Sequence, residues 1–157
     1  MIPIHSQWKR IPESEIGDMS HVEYQNYIRW MREMTQAHFA VMGFNRDYFR
    51  ALEKTFVVRR HSVEHLSPCF AGDRLLLVTW LSEAGARAIK RQHRIYKVDD
   101  TGEQSLVLAA ENLAVFVDKA VKPATIPADL VERLVPSERS DVERFIKQID
   151  DADPCVE

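Results

Sequence analysis

Between Val22 and Met42 the apolar residues Tyr24, Tyr27, Ile28, Met31, Met34, Val41 and Met42 recur at spacings of three and four, with Arg29, Arg32, Glu33 and Gln36 turned away. That periodicity demands one long amphipathic helix with a buried face. Asp18 and Ser20 ahead of it are good capping residues, and Gly43 behind it is a natural stop. A buried helix face needs a surface to lie on, and the sequence supplies one downstream. After a short helical stretch from Arg46 to Lys54, four segments rich in Val, Ile, Leu, Phe and Thr read as strands: Thr55 to Leu66, Asp73 to Glu83, Ala86 to Val98 and Ser105 to Asp118. Turn chemistry separates them, at Ser67-Pro68 with Ala71-Gly72-Asp73, at Ala84-Gly85 and at Asp99-Asp100-Thr101-Gly102. Connections this short imply an antiparallel meander.

The run Leu75-Leu76-Leu77-Val78 does not alternate, which predicts a strand covered on both faces, by the helix on one side and a subunit on the other. A further strand is expected around Gln7 to Glu13, with Pro12 near an edge. Lys122-Pro123-Ala124-Thr125-Ile126-Pro127 reads as a linker, and Ala128 to Val135 as a short helix begun after Pro127. The expected fold class is α+β, a long central helix wrapped by a five- to six-stranded antiparallel sheet. One domain is expected over residues 1–135, followed at 136–157 by a tail that is helical around Val142, Phe145, Ile146 and Ile149 or disordered, with a frayed charged end.

A chain of 157 residues, 45% hydrophobic and 29% charged, is long enough for one sizeable core. The net charge of -3, without blocks of Lys or Arg, argues against nucleic acid as a partner. No apolar run approaches the roughly 20 residues of a membrane span, and the start Met1-Ile2-Pro3-Ile4-His5-Ser6 lacks the pattern of a secretory signal. With only Cys69 and Cys155, far apart, neither a disulfide framework nor a cysteine metal site is indicated. A soluble, cytoplasmic protein without metal or cofactor is expected.

The stretch His21-Val22-Glu23-Tyr24-Gln25-Asn26-Tyr27-Ile28-Arg29-Trp30 resembles the helix-start motif of the hot-dog-fold 4-hydroxybenzoyl-CoA thioesterase-like family and of the related enediyne polyketide thioesterases. Two landmarks agree. His65-Leu66-Ser67-Pro68-Cys69-Phe70-Ala71-Gly72-Asp73 is similar to that family's strand and turn, and Val117-Asp118 with Ile126-Pro127 to its last strand and exit. The resemblance covers roughly residues 7 to 135 and implies the hot-dog fold. It also implies cleavage of thioesters of coenzyme A or acyl carrier protein, and homodimers or homotetramers paired through their sheets with active sites at the subunit interface.

Thioester hydrolysis needs a carboxylate to attack the carbonyl or activate water, and hydrogen-bond donors for the oxyanion. Free backbone N–H groups around Ser20 to Glu23, aided by the helix dipole, meet the second need. In the benzoyl-CoA branch the carboxylate is an Asp a few residues before the helix, and aligning on Asn26-Tyr27 puts that position on Gly17, one residue before Asp18. Asp18 is therefore a candidate carboxylate, re-aimed through Gly17, or else a helix cap. Glu23 is the other candidate, or else a first-turn acid favoured by the dipole. His21 can hydrogen-bond the substrate carbonyl or orient the carboxylate, or serve as a second cap.

Ser20, Asn26 and Tyr27 are expected at the substrate, Ser20 through its backbone only, since no nucleophile motif such as Gly-x-Ser-x-Gly surrounds it. Asn26 and Tyr27 also have structural readings, Tyr27 as part of the core stripe. Arg91 and Arg94 are candidates to meet the phosphates of coenzyme A at the pocket mouth, or are solvated strand charges. His61, His65 and His93 show no metal-ligand spacing. Three functions follow: an acyl-CoA thioesterase using carboxylate-assisted water, a thioesterase acting on acyl carrier protein, and a noncatalytic acyl-binding or assembly module.

Overall fold

The computed structural model describes residues 3–149. Its elements in chain order are β1 (Ile4–Arg10), a 3-10 turn (Glu13–Glu15), α1 (Tyr24–Val41), α2 (Arg46–Leu52), β2 (Thr55–His65), β3 (Arg74–Ala84), β4 (Ala88–Val98), β5 (Gln104–Val117), α3 (Ala128–Val131) and α4 (Arg139–Gln148). The strands form one antiparallel sheet in the order β1-β3-β4-β5-β2. Each strand expected from composition is present within a few residues of its expected ends. The turns are where Gly and Asp made them cheap: Gly72 and Gly102 take φ of +85°, a conformation open to glycine without a Cβ penalty.

The α1 helix lies on one face of the sheet, over β1 and β3. Its residues Trp30, Met31 and Met34 pack with Leu75, Leu77, Ile95 and Leu108 in the main core. Phe39 continues into a second cluster around Phe116, which Leu130 of α3 closes. The helix ends as expected, with Gly43 at φ +96° and the Arg133 guanidinium donating to the carbonyl of Met42 at 2.6 Å.

Two expectations are corrected. The run Leu75 to Val78 is buried on both faces, but the cover opposite α1 comes from this chain. Leu76, Val78 and Trp80 pack against Val142 and Ile146 of α4. The segment after residue 135, expected as a helical or disordered tail, carries α4, an amphipathic helix whose apolar residues sit one turn apart and face the sheet. The charged end carrying Cys155 lies outside the described residues.

The start of α1 also differs. Neither Asp18 nor Ser20 caps it, because residues 16 to 22 close on themselves. Ile16 pairs with Val22, the Gly17 N–H donates to the carbonyl of His21 at 3.0 Å, and the Ser20 N–H to that of Gly17 at 3.0 Å. Ser20 takes φ +67° to complete the turn. The Val22 N–H is then used by the carbonyl of Cys69 at 2.9 Å. The first helical residue becomes Tyr24, with Glu23 in the N-cap position.

Candidate active site

At this helix start the chain leaves a cavity of about 500 Å³, a size that suits a small-molecule group. His21, Glu23, Gln25 and Tyr27 line one side. The other is built by His65, at the end of β2, and the following Leu66-Ser67-Pro68. Tertiary bonds hold the walls in place. Beyond the Val22 bond to Cys69, the Leu66 N–H donates to the carbonyl of Val107 at 2.8 Å, and Lys97 Nζ donates to that of Pro68 at 3.1 Å.

Among the described residues no side chain caps α1, and the Asn26 N–H is taken by the carbonyl of Glu23 at 3.0 Å, which leaves the N–H groups of Tyr24 and Gln25 to take a ligand oxygen. The Glu23 carboxylate does not fold back onto them. Its Oε2 accepts from Gln25 Nε2 at 2.7 Å. His21 Nδ1 lies 3.1 Å from the carbonyl oxygen of Val22. A carbonyl can only accept, so Nδ1 carries the proton and Nε2 is the nitrogen left for a ligand.

The floor is Tyr27, buried, with Trp30 edge-on at 5.2 Å and the His65 ring tilted against it at 5.4 Å. Burial, then a hydrogen bond to Cys69, pushes the Tyr27 hydroxyl up. Burial also pushes the Cys69 thiol up, so both stay protonated near neutral pH and Cys69 is no nucleophile.

The other expected site residues fall elsewhere. Asp18 and Ser20 sit exposed in the turn and do not line the cavity. Asn26 Nδ2 donates to the carbonyl of Glu15 at 3.2 Å and its Oδ1 accepts from Arg29 at 3.2 Å. That ties α1 to the 3-10 turn, where Glu15 also meets Lys9 and Arg29. Arg94 lies on the face of the sheet away from α1, donating to the Tyr96 hydroxyl at 3.2 Å and stacked over Trp80 at 5.4 Å.

Arg91 is the largest departure from expectation, being 2% exposed beneath α1 rather than at a pocket mouth. Its Nη1 donates to His38 Nδ1 at 2.9 Å and to Thr79 Oγ1 at 3.1 Å, and burial lowers it to about 9. Its Nη2, His93 Nε2 and Asn112 Oδ1 are buried without a hydrogen-bond partner among the described residues. A central strand buried on both faces makes Arg91 and His93 core residues. Nothing local in the sequence carries that information. No group of three His, Cys, Asp or Glu is placed to hold a metal among the described residues, and no described helix is long and apolar enough to cross a membrane.

His65 and Gln25 were not expected at the site. His65 precedes the Ser67-Pro68 turn, and its place opposite the helix start comes from the pairing of β2 with β5 and the packing of its ring on Tyr27, neither of which is a local sequence signal.

A long helix on a five-stranded antiparallel sheet is the architecture of hot-dog thioesterases. Residues 14–134 match the family model of the thioesterase-like superfamily, and the chain belongs to that superfamily. Among solved structures it is similar to the 4-hydroxybenzoyl-CoA thioesterase of Pseudomonas sp. strain CBS-3, with a TM-score of 0.76 at 19% identity over 83% of this chain and 99% of that one. A 1,4-dihydroxy-2-naphthoyl-CoA thioesterase from Synechocystis superposes with a TM-score of 0.75 at 14% identity over 83% of this chain and 95% of that one. At these identities the likeness is one of fold, and the fold is the hot-dog fold implied by the helix-start motif. In sequence the chain is 25% identical over 128 residues to the chloroplastic acyl-acyl carrier protein thioesterase ATL3 of Arabidopsis thaliana. That match covers 81% of this chain and 64% of the relative, so the chain spans less than two thirds of that protein's length.

Proposed function

We propose that this chain hydrolyses an acyl-CoA thioester at the start of α1. The observation that carries this reading is the cavity in which uncapped N–H groups, a carboxylate and a free imidazole nitrogen meet. A thioester carbonyl lodged against the first turn is polarised by those N–H groups and the positive end of the helix dipole. A carboxylate of the helix-start segment, Asp18 or Glu23, activates water, and His21 Nε2 is available to bind or orient it. Tyr27 and His65 give the acyl group an aromatic floor.

The proposed working form is a homo-oligomer. β2 is a free edge of the sheet on which Val58 is left exposed, as are Tyr24 and Leu66 at the cavity. A second copy laid there completes the cavity wall. The free, buried thiol of Cys69 suits a reducing, cytoplasmic setting.

Hydrolysis of acyl carrier protein thioesters is the second reading, supported by the similarity to the plant acyl-acyl carrier protein thioesterase. Thiol release from acetyl-, hexanoyl-, dodecanoyl- and benzoyl-CoA, beside the same acyl groups on a carrier protein, tests both. Turnover on the CoA series supports the first. Turnover confined to carrier-bound acyl groups selects the second, and none on any thioester leaves a noncatalytic module.

A further inference from the structure

The cavity has one carboxylate among its lining residues, that of Glu23, and the way it is seated explains a residue that otherwise has no reason to be glycine. The glycines in the left-handed region are Gly43, Gly72 and Gly102, and Gly17 is not one of them. Its backbone therefore accepts any residue. What a side chain there would meet is Glu23: a Cβ on residue 17 would overlap Oε1 and lie 2.7 Å from Cγ and 2.8 Å from Cδ. The space of side chain 17 is filled by the carboxylate of residue 23.

We infer that Glu23 is the catalytic carboxylate, delivered from the N-cap position of α1 into the space that Gly17 leaves open. Three features fit that role. As the residue before the first helical turn, Glu23 stands beside the N–H groups that would bind the oxyanion. Its carboxylate is not spent on capping those groups. Gln25 holds Oε2, and a carboxylate's further lone pairs stay available to water. Asp18, by contrast, points out from the exposed turn. This assignment rests on the hydrolase reading above and chooses between its two carboxylates.

In the step assigned to it, Glu23 removes a proton from water as the water oxygen bonds to the thioester carbon, and the carbonyl π electrons move to oxygen. Collapse of that oxyanion breaks the carbon–sulfur bond. The departing sulfur takes the proton from Glu23, giving carboxylic acid and thiol with the carboxylate restored.

The test measures kcat and KM on whichever thioester the wild type turns over. Glu23→Gln, which keeps size and the contact with Gly17, is expected to lower kcat about 10²- to 10⁴-fold while KM changes about threefold or less, and to exceed the loss in Asp18→Asn at least tenfold. The double variant Gly17→Asp with Glu23→Ala moves the carboxylate back across the gap, and is expected to recover about tenfold or more over Glu23→Ala alone. Melting curves on each variant separate lost chemistry from lost fold. A Glu23→Gln protein with near wild-type kcat, or an Asp18→Asn loss larger than it, overturns the assignment and leaves the hydrolase reading standing. A wild type inactive on every thioester overturns the hydrolase reading and this assignment with it.

Discussion

At position 17 a single Cβ decides where a carboxylate can sit. In Gly17→Ala the methyl group would collide with the far end of an exposed side chain rather than with backbone, so Glu23 can swing away at little cost. Stability is expected to stay within about 0.5 kcal/mol of wild type, as for other surface changes. Activity should fall, because a catalytic group displaced by about 1 Å can lose 10²-fold in rate. Unchanged kcat in a normally melting Gly17→Ala protein would argue that the Glu23 position is immaterial. This coupling was only half legible in the sequence. Aligning on Asn26-Tyr27 exposes the missing acid at Gly17, and Glu23 stands out as a nearby carboxylate, but their contact depends on residues 16 to 22 closing through the Ile16 to Val22 pairing. Local capping preference favours Asp18 and Ser20 instead. It loses because the Cys69 carbonyl takes the Val22 N–H and moves the helix start downstream.

The elements were easier to read than their surroundings, because β-branched runs between Gly, Pro and Asp turns leave few alternatives for β2 to β5. What lies above and below a strand is a tertiary matter. On the α1 face, β4 carries His93 next to Arg91, while His5 comes from β1, His38 from α1, Thr79 from β3, Asn112 from β5 and His61 from β2. Burial first, and then the Arg91 charge with His61 and His38, holds His93 well below 6.5, and burial lowers His5 and His61 too. A histidine neutral when folded and normal when unfolded takes up its proton only in the unfolded chain. Above pH 6.5 neither state binds it and stability is level. As pH falls below 6.5 the unfolded state gains protons and stability drops, with a limiting slope of about 1.4 kcal/mol per pH unit from His93 alone. Urea titrations at pH 7.5, 6.5 and 5.5 check this, and equal stability at all three contradicts it. On the opposite face, Ile146→Ala in α4 removes a side chain that is 4% exposed against Leu76, Val78 and Trp80. It is expected to cost about 2 to 4 kcal/mol, read as a lower urea midpoint. A midpoint unchanged by the substitution would mean that α4 adds nothing to the sheet.

At the scale of the molecule the two faces of the sheet are unequally served. The α4 helix closes the outer face from within the chain, which removes the need for a subunit there. The α1 helix lies over β1 and β3 and meets β2 toward its two ends, through Tyr27 against His65 and Phe39 against Phe56, so the middle of β2 is left short of cover. Val58 is 58% exposed on that strand, Tyr24 is 66% exposed on the helix beside the cavity, and Leu66 is 52% exposed at its rim. Val58 and Leu66 stand toward opposite ends of β2, and exposed apolar groups spread along a free sheet edge are costly unless another surface runs along it. The bulge between Val58 and Arg60 and the charges of Arg59 and Arg60 limit unspecific pairing along that edge, and so favour one defined partner over open-ended stacking. A second copy of the chain meets these conditions by two-fold symmetry, since the same patch faces itself. Sedimentation is therefore expected to give a mass above the monomer. Val58→Asp places like charges together across the symmetric contact, and should shift the protein toward monomer while leaving the melting of the monomer core little changed. If the cavity is completed by the partner, thiol release per chain should fall with the fraction of oligomer when the Val58→Asp protein is diluted. A wild type that sediments as a monomer at every concentration, with full activity, would show instead that the walls described for one chain are sufficient for the reaction.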